Sequence, residues 1–183
     1  MDLQALELSF LLHLQELHTP VLDGIMTVIT HLGDGGVLFI AMGVLMLFFS
    51  RTRKVGLAVL LSLLGGFLVG NLLLKNLAAR ERPCWLMPEV LLLIESPHDY
   101  SFPSGHTLAS FETAFSIFLY NKKWGIAAEV LAALIAFSRL YHFVHFPTDV
   151  LAALLLAAVI ALLVHKWIEK SRICDILNSL EPI

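Results

Sequence analysis

Three short stretches of the chain hold most of the ionisable groups that interrupt its long hydrophobic runs. They are Lys75 with Arg82-Pro83, then Pro103-Ser104-Gly105-His106, then Ser138-Arg139 with His145 and Asp149. Each stretch lies at the end of a hydrophobic run. Together they provide three cations, two histidines and a carboxylate. These are the groups needed to bind a phosphate and to cleave it through a phosphohistidine.

Lys75 and Arg82 form the first candidate group. Seven residues correspond to about two turns of helix, so both cations can face one side if the helix continues that far. A charge this close to hydrocarbon costs several kcal/mol unless it is paired or hydrated. The alternative is that both side chains extend to lipid headgroups. For Arg80, in the same segment, extension to headgroups is the interpretation we favour.

The second stretch precedes an apolar helical run, so it is typical of a loop that leads into a helix N-terminus. Such a terminus offers free backbone N–H groups and a positive dipole to phosphate oxygens. Gly105 lets the backbone approach an anion because it has no Cβ. Alternatively, Ser104 is a simple N-cap and His106 is an interfacial histidine without a catalytic role.

The third stretch joins two hydrophobic runs. Pro147 suits the first position of a helix, which places His145 just before that helix and Asp149 in its first turn. A carboxylate there can accept a hydrogen bond from one imidazole nitrogen and leave the other nitrogen as a nucleophile. The alternative is an aspartate favoured by the helix dipole beside an incidental histidine. We leave His142 outside the site.

The composition predicts an integral membrane protein of a single domain, residues 1–183. Of the 183 residues, 58% are hydrophobic and 15% are charged, and the mean hydropathy is +0.82. A soluble domain has about half apolar and a quarter charged residues. The net charge of −3 carries little information, because the placement of the charges matters more than their sum.

Five stretches fit membrane-spanning helices, which need about 20 mostly apolar residues each. We therefore predict an all-α polytopic transmembrane bundle with spans near 35–50, 54–76, 105–121, 124–142 and 147–168. The third span is short and contains Glu112, an acid that is a functional candidate by its position. We assign Glu112 no catalytic role.

The N-terminal region, residues 1–33, is predicted to form two helices. Residues 2–17 are amphipathic, and their polar face includes Glu7. Residues 20–32 form a short helix that stops at the glycines of 33–36. Thirteen residues rise only about 20 Å, so this helix is expected to lie in the interface or to re-enter. Fusion of the two helices into a sixth span is the alternative.

The basic residues predict the orientation, because cytoplasmic loops are enriched in Lys and Arg. With five spans, three basic clusters fall on one side, which is therefore cytoplasmic: Arg51, Arg53 and Lys54; Lys122 and Lys123; Lys166, Lys170 and Arg172. The same alternation places residues 75–106 and 139–149 together at the opposite, outer face. Three motifs of matching residue type and spacing on one membrane face are unexpected by chance.

This pattern resembles the three-part signature of the type-2 phosphatidic acid phosphatase superfamily, which includes membrane lipid phosphatases and, more distantly, soluble vanadium haloperoxidases. The resemblance rests on Lys75-x6-Arg82-Pro83, on Pro103-Ser104-Gly105-His106, and on Ser138-Arg139-x5-His145-x3-Asp149. All signature positions are present. The N-terminus departs from the family pattern, because it has amphipathic helices where some members have a first span.

The resemblance implies a metal-independent mechanism without a cofactor. By analogy, His145 attacks phosphorus and Asp149 orients it, while His106 protonates the leaving oxygen and then activates water. The phosphate oxygens would be held by Lys75, Arg82, Arg139, Ser104 and the Gly105 amide. Charge stabilisation of this kind dominates phosphoryl transfer, and histidine can serve as both acid and base.

We therefore expect a phosphatase acting on a lipid phosphate or diphosphate, with membrane lipids and no nucleic acid as partners. In a bacterium, undecaprenyl diphosphate is the first substrate hypothesis, followed by phosphatidylglycerol phosphate and phosphatidic acid. The site would face outward from the cytoplasmic membrane. The alternatives are a vanadate-dependent haloperoxidase and a lipid-binding or transport protein that binds phosphate without turnover.

Overall fold

The computed structural model describes residues 2–171. Arg172 and the remaining C-terminal residues of the predicted domain lie outside the described residues. Within the described range the chain forms helices and no β-strand, which confirms the all-α class. The helices are α1 (Leu3–Gln15), α2 (Pro20–His31), α3 (Val37–Leu47), α4 (Arg53–Gly66), α5 (Lys75–Ala78), α6 (Pro83–Leu86), α7 (Gly105–Tyr120), α8 (Lys122–Tyr141) and α9 (Pro147–Lys170).

Two irregular segments connect these helices. A 3-10 turn at Asp34–Gly36 joins α2 to α3, and there Gly35 and Gly36 adopt φ values of 58° and 66°. Positive φ is readily available only to glycine, so the two glycines permit the turn. A π-helical segment at Phe67–Leu74 joins α4 to α5. Such wide turns are frequent at functional sites.

Within residues 2–171, four segments are long and apolar enough to cross a membrane: Pro20–Leu47, Arg53–Leu86, Lys122–Tyr141 and Pro147–Lys170. The 16 residues of α7 rise only about 24 Å, less than the roughly 30 Å of a hydrocarbon core. However, α7 packs between α4, α8 and α9, as a member of the bundle must. The transmembrane bundle is confirmed, and the predicted count of five spans holds approximately.

The two ends of the bundle differ in character. α8 begins at the basic pair 122–123 and ends beside Arg139, and α9 begins beside His145 and returns to the basic residues at 166 and 170. The motifs therefore gather at one end of the bundle and the basic loops at the other.

The core of the bundle lies where α7, α8 and α9 meet. Its buried side chains are Leu108, Phe111, Ala114, Ala132, Ala136, Ala153 and Ala157. Small residues allow helix backbones to approach closely in a membrane protein. A second buried cluster packs α1 onto the segment that follows α8, through Leu11, Leu14, Cys84, Phe143, Val144 and Phe146. This second cluster fixes the backbone on both sides of His145.

The N-terminal helices form close to the predicted bounds, but the predicted polarity of α1 is wrong at one position. Glu7, expected on a solvated polar face, is 5% exposed, whereas Leu3, Leu6 and Phe10 are 60%, 48% and 47% exposed. α1 therefore turns these three apolar side chains outward and buries its acid against the protein.

α2 packs against the end of α8 that carries the third motif. Thr30 Oγ1 accepts a hydrogen bond from Arg139 Nη1 at 2.6 Å, and Asp23 accepts one from the Tyr141 hydroxyl at 2.5 Å. The apolar stretch runs from α2 into α3. The suggested fusion of α1 with α2 is not observed, because α1 ends at Gln15 and α2 begins at Pro20.

Candidate active site

Six of the eight predicted site residues line one cavity of about 910 Å³: Lys75, Arg82, Gly105, His106, Arg139 and His145. The side chains of Ser104 and Asp149 lie behind its wall, both 0% exposed. The cavity continues from these polar groups to an apolar wall formed by α3, α4, the π-helical segment and α7, with Ile40, Leu60, Leu63, Phe67 and Leu108. It therefore joins a cationic end to an apolar end.

His145 lies at the cationic end and is 1% exposed. Its Nε2 is 3.1 Å from Arg82 Nη1. A guanidinium can only donate, so Nε2 carries a lone pair and Nδ1 carries the hydrogen. Burial lowers the pKa of His145 well below its usual range, and the charges of Arg82 and Arg139 act in the same direction. The imidazole is therefore neutral at neutral pH, as a nucleophile must be.

Asp149 supports His145 less directly than predicted. Its Oδ2 is 3.6 Å from His145 Nδ1, which is too long for a hydrogen bond. The Ser101 hydroxyl lies between them, donating to Asp149 Oδ2 at 2.5 Å and lying 3.4 Å from Nδ1. Asp149 Oδ2 also accepts from the Phe146 N–H at 2.8 Å. The carboxylate is thus fixed in place, and Ser101 relays its contact to the ring.

Lys75 and Arg82 converge as predicted, but not because one helix carries both. α5 ends at Ala78, and Ala79 turns the chain with φ 43°. Both cations instead hold the Asp99 carboxylate, with Lys75 Nζ at 2.5 Å and Arg82 Nη2 at 2.6 Å. Burial alone raises the pKa of Asp99, but hydrogen bonds and charges of Lys75 and Arg82 outweigh it and lower the pKa to about 2.

Asp99 therefore shows that this pair of cations binds a carboxylate anion. The carboxylate is half-exposed, at 57%, and lies in the irregular segment between α6 and α7. Arg139 adds a third cation to the same cavity, and its Nε has no hydrogen-bond partner within residues 2–171.

The second motif lies at the start of α7, as predicted. Ser104 occupies the N-cap position, but its hydroxyl accepts from Thr107 Oγ1 at 3.0 Å and does not cap the backbone. Gly105 faces Asn71 of the π-helical segment, where a Cβ would lie 3.2 Å from Asn71 Oδ1. That oxygen has no partner among the described residues and lines the cavity.

His106 has its own carboxylate partner, which the sequence analysis missed. Its Nε2 is 2.9 Å from Asp34 Oδ1, and Asp34 Oδ2 is 2.6 Å from His31 Nδ1. A Cβ on Gly33 would lie 2.6 Å from the His106 ring, so glycine is needed for this approach. The glycine-rich segment at 33–36 thus ends α2 and also places Asp34 at the site.

The favoured interpretation of Arg80 is wrong. Its side chain is 25% exposed and pairs with Asp149 Oδ1 and Glu7 Oε2, each at 2.6 Å. The left-handed turn at Ala79 directs Arg80 back toward the start of α9. The position of Arg80 in the sequence, two residues before Arg82, does not predict this inward direction, because the direction depends on the turn at Ala79.

Two other buried residues, His142 and Glu112, have no assigned part in the site. Both ring nitrogens of buried His142 lack a hydrogen-bond partner in the described part of the chain, and His142 stays outside the site. Glu112 is 1% exposed and lines the apolar part of the cavity. It packs on Gly66, where a Cβ would lie 2.1 Å from Glu112 Oε1.

Known proteins share both the sequence and the fold. The profile of the PAP2 superfamily matches residues 54–173. An undecaprenyl-diphosphatase of Sulfolobus acidocaldarius is 36% identical over 143 residues, 78% of this chain and 68% of that protein. Phosphatidylglycerophosphatase B of Bacillus subtilis is 35% identical over 165 residues, 82% of this chain and 77% of that protein.

A solved structure agrees with these matches. The crystal structure of a transmembrane PAP2-type phosphatidylglycerolphosphate phosphatase from Bacillus subtilis has a TM-score of 0.74 and 30% identity, covering 91% of this chain and 86% of that one. The matched profile contains all three motifs, and the resemblance noted from the motifs is confirmed. The chain therefore belongs to the PAP2 superfamily and is a membrane enzyme of the lipid phosphatase class.

Proposed function

We propose that this enzyme hydrolyses a lipid phosphate or diphosphate without a metal, through a phosphohistidine on His145, at the extracytoplasmic face. The observation that carries the proposal is the cavity itself. A neutral histidine, a second histidine and three cations face its one end, and apolar side chains form its other end. A lipid phosphate has the same two-part character.

In the first step the substrate phosphate displaces the Asp99 carboxylate from Lys75 and Arg82. Arg139 and the N-terminal amides of α7 bind further oxygens. The phosphate also takes over the Arg82 donor, which frees the Nε2 lone pair of His145. Nε2 then attacks phosphorus, and the P–N bond forms as the bond to the leaving oxygen breaks. His106, which takes up a proton from water as the anionic phosphate binds, gives that proton to the leaving oxygen.

In the second step His106, now neutral, accepts a proton from water. The water oxygen bonds to phosphorus as the P–N bond breaks, and inorganic phosphate and neutral His145 are regenerated. Asp149 and Ser101 hold the His145 ring and stabilise the positive charge that the phosphorylated ring carries. The leaving group is a lipid alcohol for a monophosphate and a lipid phosphate for a diphosphate.

Undecaprenyl diphosphate is the substrate we favour, followed by phosphatidylglycerol phosphate and phosphatidic acid. The relative named as an undecaprenyl-diphosphatase supports the first, and the one named phosphatidylglycerophosphatase B supports the second. The outward orientation rests on the basic residues at the opposite end of the bundle, which favour the cytoplasmic side.

The test is phosphate release from these three lipids by purified protein in detergent, with EDTA present. Wild type is expected to release phosphate, and His145→Ala is expected to release none above background. Exposed His13→Ala, on α1, is the matched control and should keep wild-type activity. Activity that persists in His145→Ala, or that EDTA abolishes in wild type, would contradict the proposed mechanism.

A further inference from the structure

Glu7 is a buried acid in the N-terminal helix, far from the motifs in sequence. Both of its oxygens are used: Oε1 accepts from the backbone N–H and the hydroxyl of Thr148, at 2.8 and 2.7 Å, and Oε2 pairs with Arg80 at 2.6 Å. Burial of an acid is costly unless it is paired and hydrogen-bonded, as Glu7 is. The apolar contacts of Leu11 and Leu14 already dock α1, so docking alone does not account for this acid.

Arg80 connects Glu7 to the catalytic side of the cavity. Its Nη2 bonds Glu7, while its Nη1 bonds Asp149 Oδ1 at 2.6 Å and Thr148 Oγ1 at 2.7 Å. The guanidinium lies 4.0 Å from the centre of the Phe146 ring. A planar guanidinium held on several sides has one orientation, so it fixes Asp149 Oδ1 while Ser101 and the Phe146 amide fix Oδ2.

The charges of this group explain why an acid is needed at position 7. Arg80 alone would balance Asp149, and the pair would offer His145 no net charge. With Glu7 ionised, the three groups sum to one negative charge beside His145 (−1 + 1 − 1). Phosphorylation at Nε2 leaves a hydrogen on Nδ1 and makes the ring positive. A net negative charge next to that ring stabilises the intermediate more than it stabilises the neutral resting state.

We propose that Glu7 and Arg80 are positioning residues for the nucleophile, acting on His145 through Asp149 and Ser101. The first helix, which lies outside the matched family profile, is therefore part of the catalytic apparatus. The inference rests on the proposed phosphohistidine reaction. It adds a requirement that this reaction alone does not impose: the turnover rate depends on an acid in α1, while phosphate binding does not.

The test uses full-length protein in detergent and the variants Glu7→Gln and Arg80→Gln, with Glu16→Gln as the matched control. Glu16 is an exposed acid directly after α1. We measure kcat and KM with farnesyl diphosphate and dioctanoyl phosphatidic acid, the inhibition constant of inorganic phosphate, and the unfolding temperature. Glu7→Gln is expected to lower kcat about 10- to 100-fold, the scale of a small misplacement of a reacting group. The phosphate constant should stay within about twofold, because Lys75, Arg82 and Arg139 are untouched.

Two further variants keep the test decisive if Glu7→Gln is unstable. Glu7→Asp retains the charge, so it should keep the fold and recover part of the lost kcat. Glu7→Gln/Arg80→Gln should lose much less than the product of the single losses, because the two residues act through one contact to Asp149.

The outcomes separate this inference from the proposed function. If Glu7 variants match Glu16→Gln, or if kcat, binding of inorganic phosphate and unfolding temperature fall together in Glu7→Asp as well, the positioning role is overturned. In either case the phosphatase reaction stands as long as wild type is active and His145→Ala is not. If wild type hydrolyses neither substrate, the proposed function fails first.

Discussion

The motif region, residues 75–149, and the N-terminal region, residues 2–36, contribute to the same site in different ways. The motif region supplies the predicted site residues that face the cavity. The N-terminal region supplies three partners for the motif residues. Thr30 bonds Arg139, Asp34 bonds His106, and Glu7 bonds Arg80, which in turn bonds Asp149. The reacting groups thus belong to recognisable sequence motifs, whereas the groups that hold them do not.

Reacting residues and supporting residues have different geometric requirements. A reacting histidine or a phosphate-binding cation must lie at one point with one chemistry, which restricts residue type and spacing. A supporting carboxylate can come from any segment that reaches the site, so it needs no fixed spacing to the motif. Substitutions in the two regions can test this division.

Asp149→Asn should lower kcat by about 10³- to 10⁴-fold, because an amide cannot replace the charge that holds and balances the nucleophilic histidine. The measurement is initial-rate kinetics on the best lipid substrate. The exposed Asp2→Asn, at the start of α1, is the control from the N-terminal region. A loss of less than about tenfold would remove Asp149 from the motif region's catalytic set.

Asp34→Asn should lower kcat about 10- to 100-fold, because it removes the charge that helps His106 hold the proton for the leaving oxygen. The loss should shrink with para-nitrophenyl phosphate, whose leaving group needs little protonation. Equal losses with both substrates would mean that Asp34 does not act through His106. This variant therefore shows whether an N-terminal partner affects one defined chemical step.

Asp99→Asn should tighten binding of inorganic phosphate up to about fivefold, since a half-exposed ion pair contributes up to about 1 kcal/mol. The amide competes less well than the carboxylate for Lys75 and Arg82. The measurement is product inhibition by phosphate, with the exposed Glu95→Gln of the same segment as control. Weaker phosphate binding would instead show that Asp99 positions Lys75 and Arg82 for the phosphate and does not compete with it.

His145 should remain neutral at pH values at which an ordinary histidine is mostly protonated. Its pKa is lowered by burial and by the nearby cations, so the imidazole stays neutral as the pH falls through 6.5. At pH 5.5 a histidine with the ordinary pKa is about 90% protonated. Nitrogen NMR of histidine-labelled protein in detergent, with His145→Ala to assign the signal, measures this. A titration midpoint near pH 6.5 would show that the motif region does not hold His145 neutral.

The sequence predicted those parts of the fold that depend on hydropathy and helix starts. The five apolar stretches match α3, α4 with α5, α7, α8 and α9 within a few residues. Pro147 marks the start of α9, and Gly105 follows the N-cap of α7. Alternation of spans then brought the three motifs to one end, and no long-range contact had to be known for that inference.

The supporting residues were not predictable in this way, for different physical reasons. The helical pattern of α1 predicts an apolar face and a polar face that includes Glu7. It does not predict which of the two faces packs against the rest of the protein. Arg80 turns inward because Ala79 adopts a left-handed conformation, which no propensity indicates for alanine. Asp99 and Ser101 lie in a segment without regular secondary structure, where spacing gives no direction to a side chain.

Trapping the phosphorylated enzyme tests directly whether the reaction passes through a phosphohistidine at His145. Wild type and His106→Ala are mixed with para-nitrophenyl phosphate, whose leaving group needs little protonation, then quenched in base, where phosphohistidine survives, and digested for mass spectrometry. The account predicts one phosphoryl group on the peptide that contains His145, more of it in His106→Ala than in wild type, and none in His145→Ala. Turnover without any phosphorylated peptide, or a phosphoryl group on another residue, would contradict it.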